Sequence, residues 1–433
     1  VSSEFFWCII LLFALAGMGA PIALAMIASS VFYLLVKGQD LGLAAEQMIQ
    51  GIFDGFLLLA IPLFIIAANI MNAGTISERL LKFCLALVGR FKGGLGHVNV
   101  VANMIFAGMS GSAVADAVGL GKIIIGMMRE GNRYSAGYAA AITAAASTIG
   151  PIIPPSIPMV MYALVSDTSI GYLFLGGFIP GVMMGISLMI LNARMARIEN
   201  VPLEEPVPRR ELPRLTVRAF PALLMPIILL FGIYGGATTP TEAAAIAAFY
   251  ALIVATFLYR AVNFPTLYNV FSESAKATAS VGLIIGASLI FNYIVAAENI
   301  PSKVATLMQG INVAPIVFLL GVNVLFLMLG CLLDATTIIL VIIPLFIPTC
   351  KALEIDMVHF GVTAVVNCMI GLITPPYGVL LFVINAITGI PLKTIIAAIW
   401  PYICVLVTAL LVMLLIPQTV LFLPKMFGYI PYR

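Results

Sequence analysis

Charge is what this chain has least of. Of its 433 residues only 9% are Asp, Glu, Lys or Arg, against 62% that are hydrophobic. Soluble domains carry about 25% charged residues, so a soluble multidomain enzyme is excluded. Histidine is almost missing: His97 and His359 stand alone and read as structural or loop residues. The six cysteines, Cys8, Cys84, Cys331, Cys350, Cys368 and Cys404, are scattered without a CxxC pair, which removes the spacing of a zinc site or disulfide framework. There is no GxxxxGK[ST] loop and no soluble stretch large enough for a nucleotide domain, which excludes ATP-driven transport. The spaced arginines of a voltage sensor are absent. So are HExxH and any Ser–His pair suggestive of an intramembrane enzyme.

What is present is long apolar runs, several near or above the roughly 20 residues of a spanning helix. Residues 5–36 are too long for one helix and split at Gly17, Gly19 and Pro21 into two short spans. Residues 5–20 read as a span and not a secretory leader, because Glu4 and no Lys or Arg precedes them. Segments 43–53 and 75–92 mix charged and apolar residues, which suits helices lying at the interface. Spans follow at 56–73, 134–166 (broken at Gly150-Pro151 and Pro154-Pro155) and 170–196. Residues 199–218 are polar, Pro-rich and basic, a linker. The second half repeats the plan, with spans at 219–236, 240–259, 281–297, 360–388 (broken at Pro375-Pro376) and 394–422. Each half also holds one apolar stretch interrupted by small or polar residues, read as a re-entrant hairpin at 97–128 and 314–350.

Gly150-x-x-x-Pro154-Pro155 recurs as Gly371-x-x-x-Pro375-Pro376, Pro21 matches Pro240, and Ile76-Ser-Glu-Arg79 resembles Ile300-Pro-Ser-Lys303. Five spans per half is an odd number, so the second half must be inverted relative to the first. The expected fold is therefore an all-α polytopic membrane protein of two inverted repeats, 1–198 and 219–433. Broken helices at matching places point to a secondary transporter's site. Placing linker 199–218 in the cytoplasm and both termini outside leaves only Lys37, Lys303, Lys351, Lys425 and Arg433 outside, in keeping with the positive-inside rule.

Backbone interrupted at membrane depth is tolerated only where protein or a cavity covers it, and it frees groups that can hold an ion or a carboxylate. Ser110 and Ser112 flank a glycine opposite the Gly150–Pro155 break, where proline removes amide donors. Hydroxyls and unwound carbonyls there suit a hard cation such as sodium. Thr336, Thr337, Gly330, Gly371 and Thr374 offer the same groups in the second half. The competing reading, that small residues merely let helices approach closely, is weakened by four such stretches in matched pairs. Asp116 and Asp334 are the hairpin carboxylates. An acid at mid-membrane costs about 2.5–3.5 kcal/mol, and each is open between a functional role and a helix N-cap. A substrate carboxylate suits the half-helix N-termini near Ser156 and Tyr377.

The strings PLFIIAANIMNAGTISERL (62–80), MSGSAVADAVGLG (109–121), TAAASTIGPIIPPSIP (143–158) and GLITPPYG (371–378) resemble the large membrane subunit of a tripartite ATP-independent periplasmic (TRAP) transporter, over essentially the whole chain. The resemblance implies an elevator-type carrier of the ion-transporter superfamily, with a hairpin-bearing transport domain that slides against a scaffold. It implies sodium-coupled uptake of an organic acid, such as a C4-dicarboxylate or sialic acid, across a bacterial inner membrane. The partners it implies are a periplasmic substrate-binding protein and a small four-helix membrane subunit, here a separate chain; no nucleic acid is involved. Carried over by motif, one sodium site falls on Ser110, Ser112, Gly150 and Pro155, and a second on Gly330, Thr337, Gly371 and Thr374. The alternative within transport is a sodium/carboxylate symporter that needs no binding protein.

Overall fold

Two helices with almost no exposed face organise the protein. The computed structural model describes residues 2–431 except 55, 74–75, 205–206, 304–305 and 307–313. In it, α8 (Ala136–Ser147) is buried from Gly137 onward and α16 (Met357–Gly371) at every residue. The small residues of α8, chiefly alanine, let neighbours approach on all sides.

Around this pair pack the hairpin arms α6 (Gly94–Ser110) and α7 (113–129), and α14 (Pro315–Gly330) and α15 (Ala335–Ala352). With them lie α9 (Ile157–Ser166), α10 (Ile170–Ile198), α17 (Val379–Thr388), α18 (Leu392–Leu415) and α19 (Gln418–Met426). Arm α6 packs on α8, α14 packs on α16, and α18 contacts both buried helices.

A second set of helices packs mainly within itself. It comprises α1 (Ser3–Gly17), α2 (Ile22–Val36), α3 (Gly42–Asp54), α4 (Ala60–Asn72), α5 (Ile76–Val88), α11 (Leu212–Tyr234), α12 (Pro240–Leu258) and α13 (Phe264–Ala297). Helix α13 contacts α2, α3 and α4; α12 lies along α4, and α11 along α5. Six helices among the described residues are long and apolar enough to cross a membrane: α10, α11, α12, α13, α15 and α18.

Buried polar pegs tie each hairpin to the span behind it. Asn99 Nδ2 on α6 donates to Thr143 Oγ1 on α8 at 2.6 Å, and Asn367 Nδ2 on α16 donates to the Asn323 carbonyl on α14, also at 2.6 Å. Both pairs lie 44 residues apart in sequence. An unsatisfied amide there would cost about 1–3 kcal/mol, so each peg fixes the register of its arm.

At the other end of the second set, Glu298 follows α13 and gathers four donors. These are the Ser2 hydroxyl (2.6 Å), the Ser2 amide (3.1 Å), Tyr33 Oη (2.7 Å) and Lys37 Nζ (2.9 Å). The Ser2 hydroxyl, then Tyr33 and Lys37, hold its carboxyl below the usual carboxylate range.

The structure departs from the sequence reading in three places. Helix α11 already begins at Leu212, inside the stretch 199–218 read as linker. The span expected at 281–297 is the end of a single 34-residue helix. Its polar first half stays helical because Asn263 caps it and its only proline, Pro265, lies in the first turn. The last span, expected over 394–422, stops at Leu415, and Pro417 opens the short α19.

Candidate functional site

Each hairpin turns at its tip through a left-handed glycine or a capped break. Helix α6 ends at Ser110, Gly111 takes φ 61°, and Ser112 caps α7 by accepting from the Ala115 amide at 3.4 Å. Helix α14 ends at Gly330, and Asp334 caps α15 by accepting from the Thr337 amide at 3.1 Å and from the Thr337 hydroxyl. Each return arm then contains one π-turn, Ala117–Gly121 and Ile338–Ile342. Asp116 and Thr337 are the residues immediately before those turns. Asp334 thus takes the N-cap role that Ser112 fills in the first hairpin, while Asp116 sits one turn deeper.

Behind the tips lie the broken spans, α8 to α9 and α16 to α17, each with a cis proline pair, Pro154–Pro155 and Pro375–Pro376. Tip and break meet backbone to backbone at glycine. A β-carbon on Gly111 would lie 2.7 Å from the Pro155 carbonyl oxygen, and one on Gly371 would lie 2.7 Å from Gly330 Cα. No side chain fits at either place, which accounts for glycine there.

In the first half this contact encloses a carboxylate. Asp116 is fully buried; Ser110 Oγ donates to its Oδ1, while its Oδ2 has no hydrogen-bond partner among the described residues and abuts Gly150. The ion pairs Lys37–Glu298 (2.9 Å) and Arg133–Glu204 (2.6 Å) lie elsewhere. An uncompensated buried charge costs several kcal/mol, so this pocket of oxygen atoms calls for a cation or a proton. Ser110, Gly150 and Asp116 converge directly, and Pro155 meets the tip through Gly111. Ser112 adjoins them at the cap.

In the second half, Gly330 and Gly371 touch. Thr374 Oγ1 donates to the Ile370 carbonyl at 2.7 Å, which leaves its oxygen lone pairs available. Thr337 is buried and its hydroxyl donates to Asp334, which likewise leaves its oxygen lone pairs available.

Between the two tips lies a cavity of 480 Å³. Its walls are residues 110–115 of the first hairpin and 334–336 of the second, with Pro151 and Leu372 from the breaks. Asn69 of α4 and Ala277 and Val281 of α13 close the opposite side. Asn69 Nδ2 donates to Ser274 Oγ at 2.9 Å, so α4 and α13 hold that wall together.

Of the expected residues, Ser110, Ser112, Thr336 and Asp334 line this cavity, whereas the two expected at the half-helix starts do not. Ser156 is fully buried, caps α9 and donates to the Pro151 carbonyl. Tyr377 is 59% exposed and packs on Phe382. Sequence reasoning missed Asn69, although an amide inside the apolar run of α4 was a visible signal. Ala277 and Val281 carry no such mark.

Comparison with known proteins places the chain in a family. A model of the family described as "Tripartite ATP-independent periplasmic transporter, DctM component" matches residues 9–419. The chain is 39% identical to the sialic acid TRAP transporter large permease protein SiaM of Vibrio cholerae, over 99% of both chains. It is 40% identical to the C4-dicarboxylate TRAP transporter large permease protein DctM of Pseudomonas aeruginosa, over 87% of this chain and 88% of that one. Among solved structures, the Alcanivorax borkumensis YdaH transporter shares the fold with a TM-score of 0.62 at 16% identity, covering 85% of this chain and 86% of that one.

Proposed function

From the premise that this chain belongs to the TRAP transporter family as its large membrane component, a permease and not an enzyme, we propose that it takes up an organic acid in symport with sodium. The observation that carries this reading is the cavity between the two hairpin tips, with the unpartnered Asp116 oxygen behind one of them.

In the mechanism, sodium is a co-substrate. One ion is held by Ser110, Ser112, Gly150 and Pro155, with Asp116 supplying the negative charge. A second is held by Gly330, Thr337, Gly371 and Thr374. Cations seated against the two tips lower the cost of bringing a substrate carboxylate into an otherwise apolar cavity. Asp334, at the cavity wall and engaged as a cap, shapes the substrate end. The relatives named for sialic acid and for C4-dicarboxylates have carboxylates in common, and that class is assigned to this chain.

Residues 1–198 and the chain from Leu212 onward form inverted repeats, a reading supported by the matched N-caps, the matched π-turns and the recurring Gly-x-x-x-Pro-Pro breaks. The set built on α8 and α16 is the mobile transport domain. The set of α1, α2, α4 and α11–α13 is the scaffold, so the carrier works as an elevator. The interfacial helices α3 and α5 serve as arms between the two. A periplasmic binding protein delivers the substrate, and a small four-helix membrane subunit completes the scaffold. The protein sits in a bacterial inner membrane with its termini in the periplasm and linker 199–218 in the cytoplasm.

The test is uptake by proteoliposomes holding this chain and its small subunit, offered labelled sialic acid and C4-dicarboxylates with and without binding protein and a sodium gradient. The expected result is uptake that needs both. Uptake with sodium but no binding protein would make it a stand-alone symporter. Uptake indifferent to sodium would sink the hairpin-site argument.

A further inference from the structure

A second pocket, away from the transport cavity, is built for an anion. It has a volume of 390 Å³, lies between α5 and α11, and is lined by Arg79, Lys82 and Arg218 with Glu78 and Leu215. Among the described residues three cations face one carboxylate on its wall. The pocket is held in shape by Tyr259, just past α12. Its ring lies under the Arg79 guanidinium, 4.1 Å from ring centroid to cation, and its hydroxyl donates to the Arg218 carbonyl at 2.8 Å. That arrangement ties the Arg79 guanidinium and the Arg218 backbone to a common support.

Exposed apolar side chains adjoin the pocket's residues along the chain. Val217 (73% exposed) and Phe220 (51%) flank Arg218 on α11, and Phe257 (73%) and Leu258 (59%) lead into Tyr259. From Ala219 to Tyr234 helix α11 carries no charged residue, whereas Arg214 and Arg218 precede that run. The cations therefore stand at the level where hydrocarbon gives way to headgroups, with side chains long enough to reach it. A ligand that meets a cationic cup and a greasy rim at once has a phosphate diester at one end and acyl chains at the other.

We propose that this pocket binds the headgroup of an anionic phospholipid, with the acyl chains lying on Val217, Phe220, Phe257 and Leu258. Such a lipid joins α5 to α11, helices that the transport reading assigns to an arm and to the scaffold, but the site stands independently of sodium coupling. Basic pockets between membrane helices recognise phosphate headgroups through charge-assisted hydrogen bonds.

The experiment uses the purified, delipidated complex of this chain with its small subunit. Lipid bound per complex is counted by native mass spectrometry with dioleoyl phosphatidylglycerol, dioleoyl phosphatidylcholine or inorganic phosphate as the added probe. Phosphatidylglycerol is expected to bind in preference to phosphatidylcholine. Lys82→Gln with Arg218→Gln should weaken that binding by roughly tenfold or more. Glu78→Gln, which removes the pocket's acid, should tighten it, so the proposal stays testable if the double variant fails to assemble. Equal binding of the two lipids overturns the proposal, as does phosphatidylglycerol binding untouched by these variants. Inorganic phosphate displacing the lipid at comparable concentration shows a free-phosphate site instead. Lipid binding to the isolated chain but not to the complex assigns the pocket to the small subunit, and equally overturns it.

Discussion

Replacing Gly371 by alanine tests the second tip-to-break contact directly. The added methyl would lie 2.7 Å from Gly330 Cα and 2.9 Å from its carbonyl carbon. Carbon atoms rest at about 3.5–4.0 Å, so tip and break must part by about 1 Å. Both neighbours are backbone at the ends of packed helices, and neither can rotate away. Overpacking of this kind costs about 1–3 kcal/mol, and if that cost falls on the sodium-bound state it weakens the ion by roughly 5- to 150-fold. The assay is sodium-dependent uptake in proteoliposomes, titrated to half-saturation, with the thermal midpoint of the purified protein measured in parallel. Gly321→Ala is the control: it lies on the same arm, α14, and nothing approaches its β-position within 4 Å. There alanine should be neutral or stabilising by about 0.5–1 kcal/mol. Should Gly371→Ala lower the thermal midpoint yet leave sodium half-saturation as in wild type, the contact is packing alone and the second ion site is misplaced.

Asp116→Asn keeps the shape of the buried side chain but removes its charge. It is expected to weaken sodium by tenfold or more while leaving thermal stability equal or higher, because a buried charge is costly; unchanged sodium affinity would remove Asp116 from the site. Ser112→Ala and Thr337→Ala should each shift sodium half-saturation upward. Ser112→Ala also costs about 1 kcal/mol of stability through loss of its cap, and a variant with stability lowered but sodium response intact would identify its hydroxyl as structural only. Glu298, whose ordinary pKa is 4.5, is held lower by its donors. A depressed carboxyl contributes stability that is complete above its unfolded pKa and lost as pH falls through the folded one. The thermal midpoint of wild type minus that of Glu298→Gln should therefore be constant above about pH 5 and shrink in more acid solution; a difference that does not vary with pH refutes the network.

The breaks were legible because Gly, Ser and Pro stand out inside apolar runs, and a membrane permits them only under cover. That same contrast revealed the pairing of Gly150 with Gly371 and of the two proline pairs. Other features left no such trace. The first half of α13 carries Ser, Glu, Lys and Thr and looks like a loop, yet its cap at Asn263 and its freedom from interior proline make it helix. Asp116 and Asp334 read alike in sequence, and only the fold separates a carboxylate sealed against Gly150 from one that caps α15. Ser156 and Tyr377 were expected from the break motifs, but a half-helix start says nothing about which way its first side chain points. The cavity wall from α4 and α13 comes from distant stretches, and its alanine and valine members are indistinguishable from lipid-facing residues until the helices are assembled.

Helix α13 runs for 34 residues without an internal proline, about 51 Å at 1.5 Å per residue. It touches the cavity between the hairpin tips at Ala277 and Val281, and it is followed by Glu298 in the grip of Ser2, Tyr33 and Lys37. The cavity wall and the docking point of the N-terminal helices therefore belong to one girder. Slack at the Glu298 end has no joint in which to dissipate, so it swings the wall at Val281. The wall at Val281 is thus tied, through one unbroken helix, to the anchorage that Ser2, Tyr33 and Lys37 give Glu298.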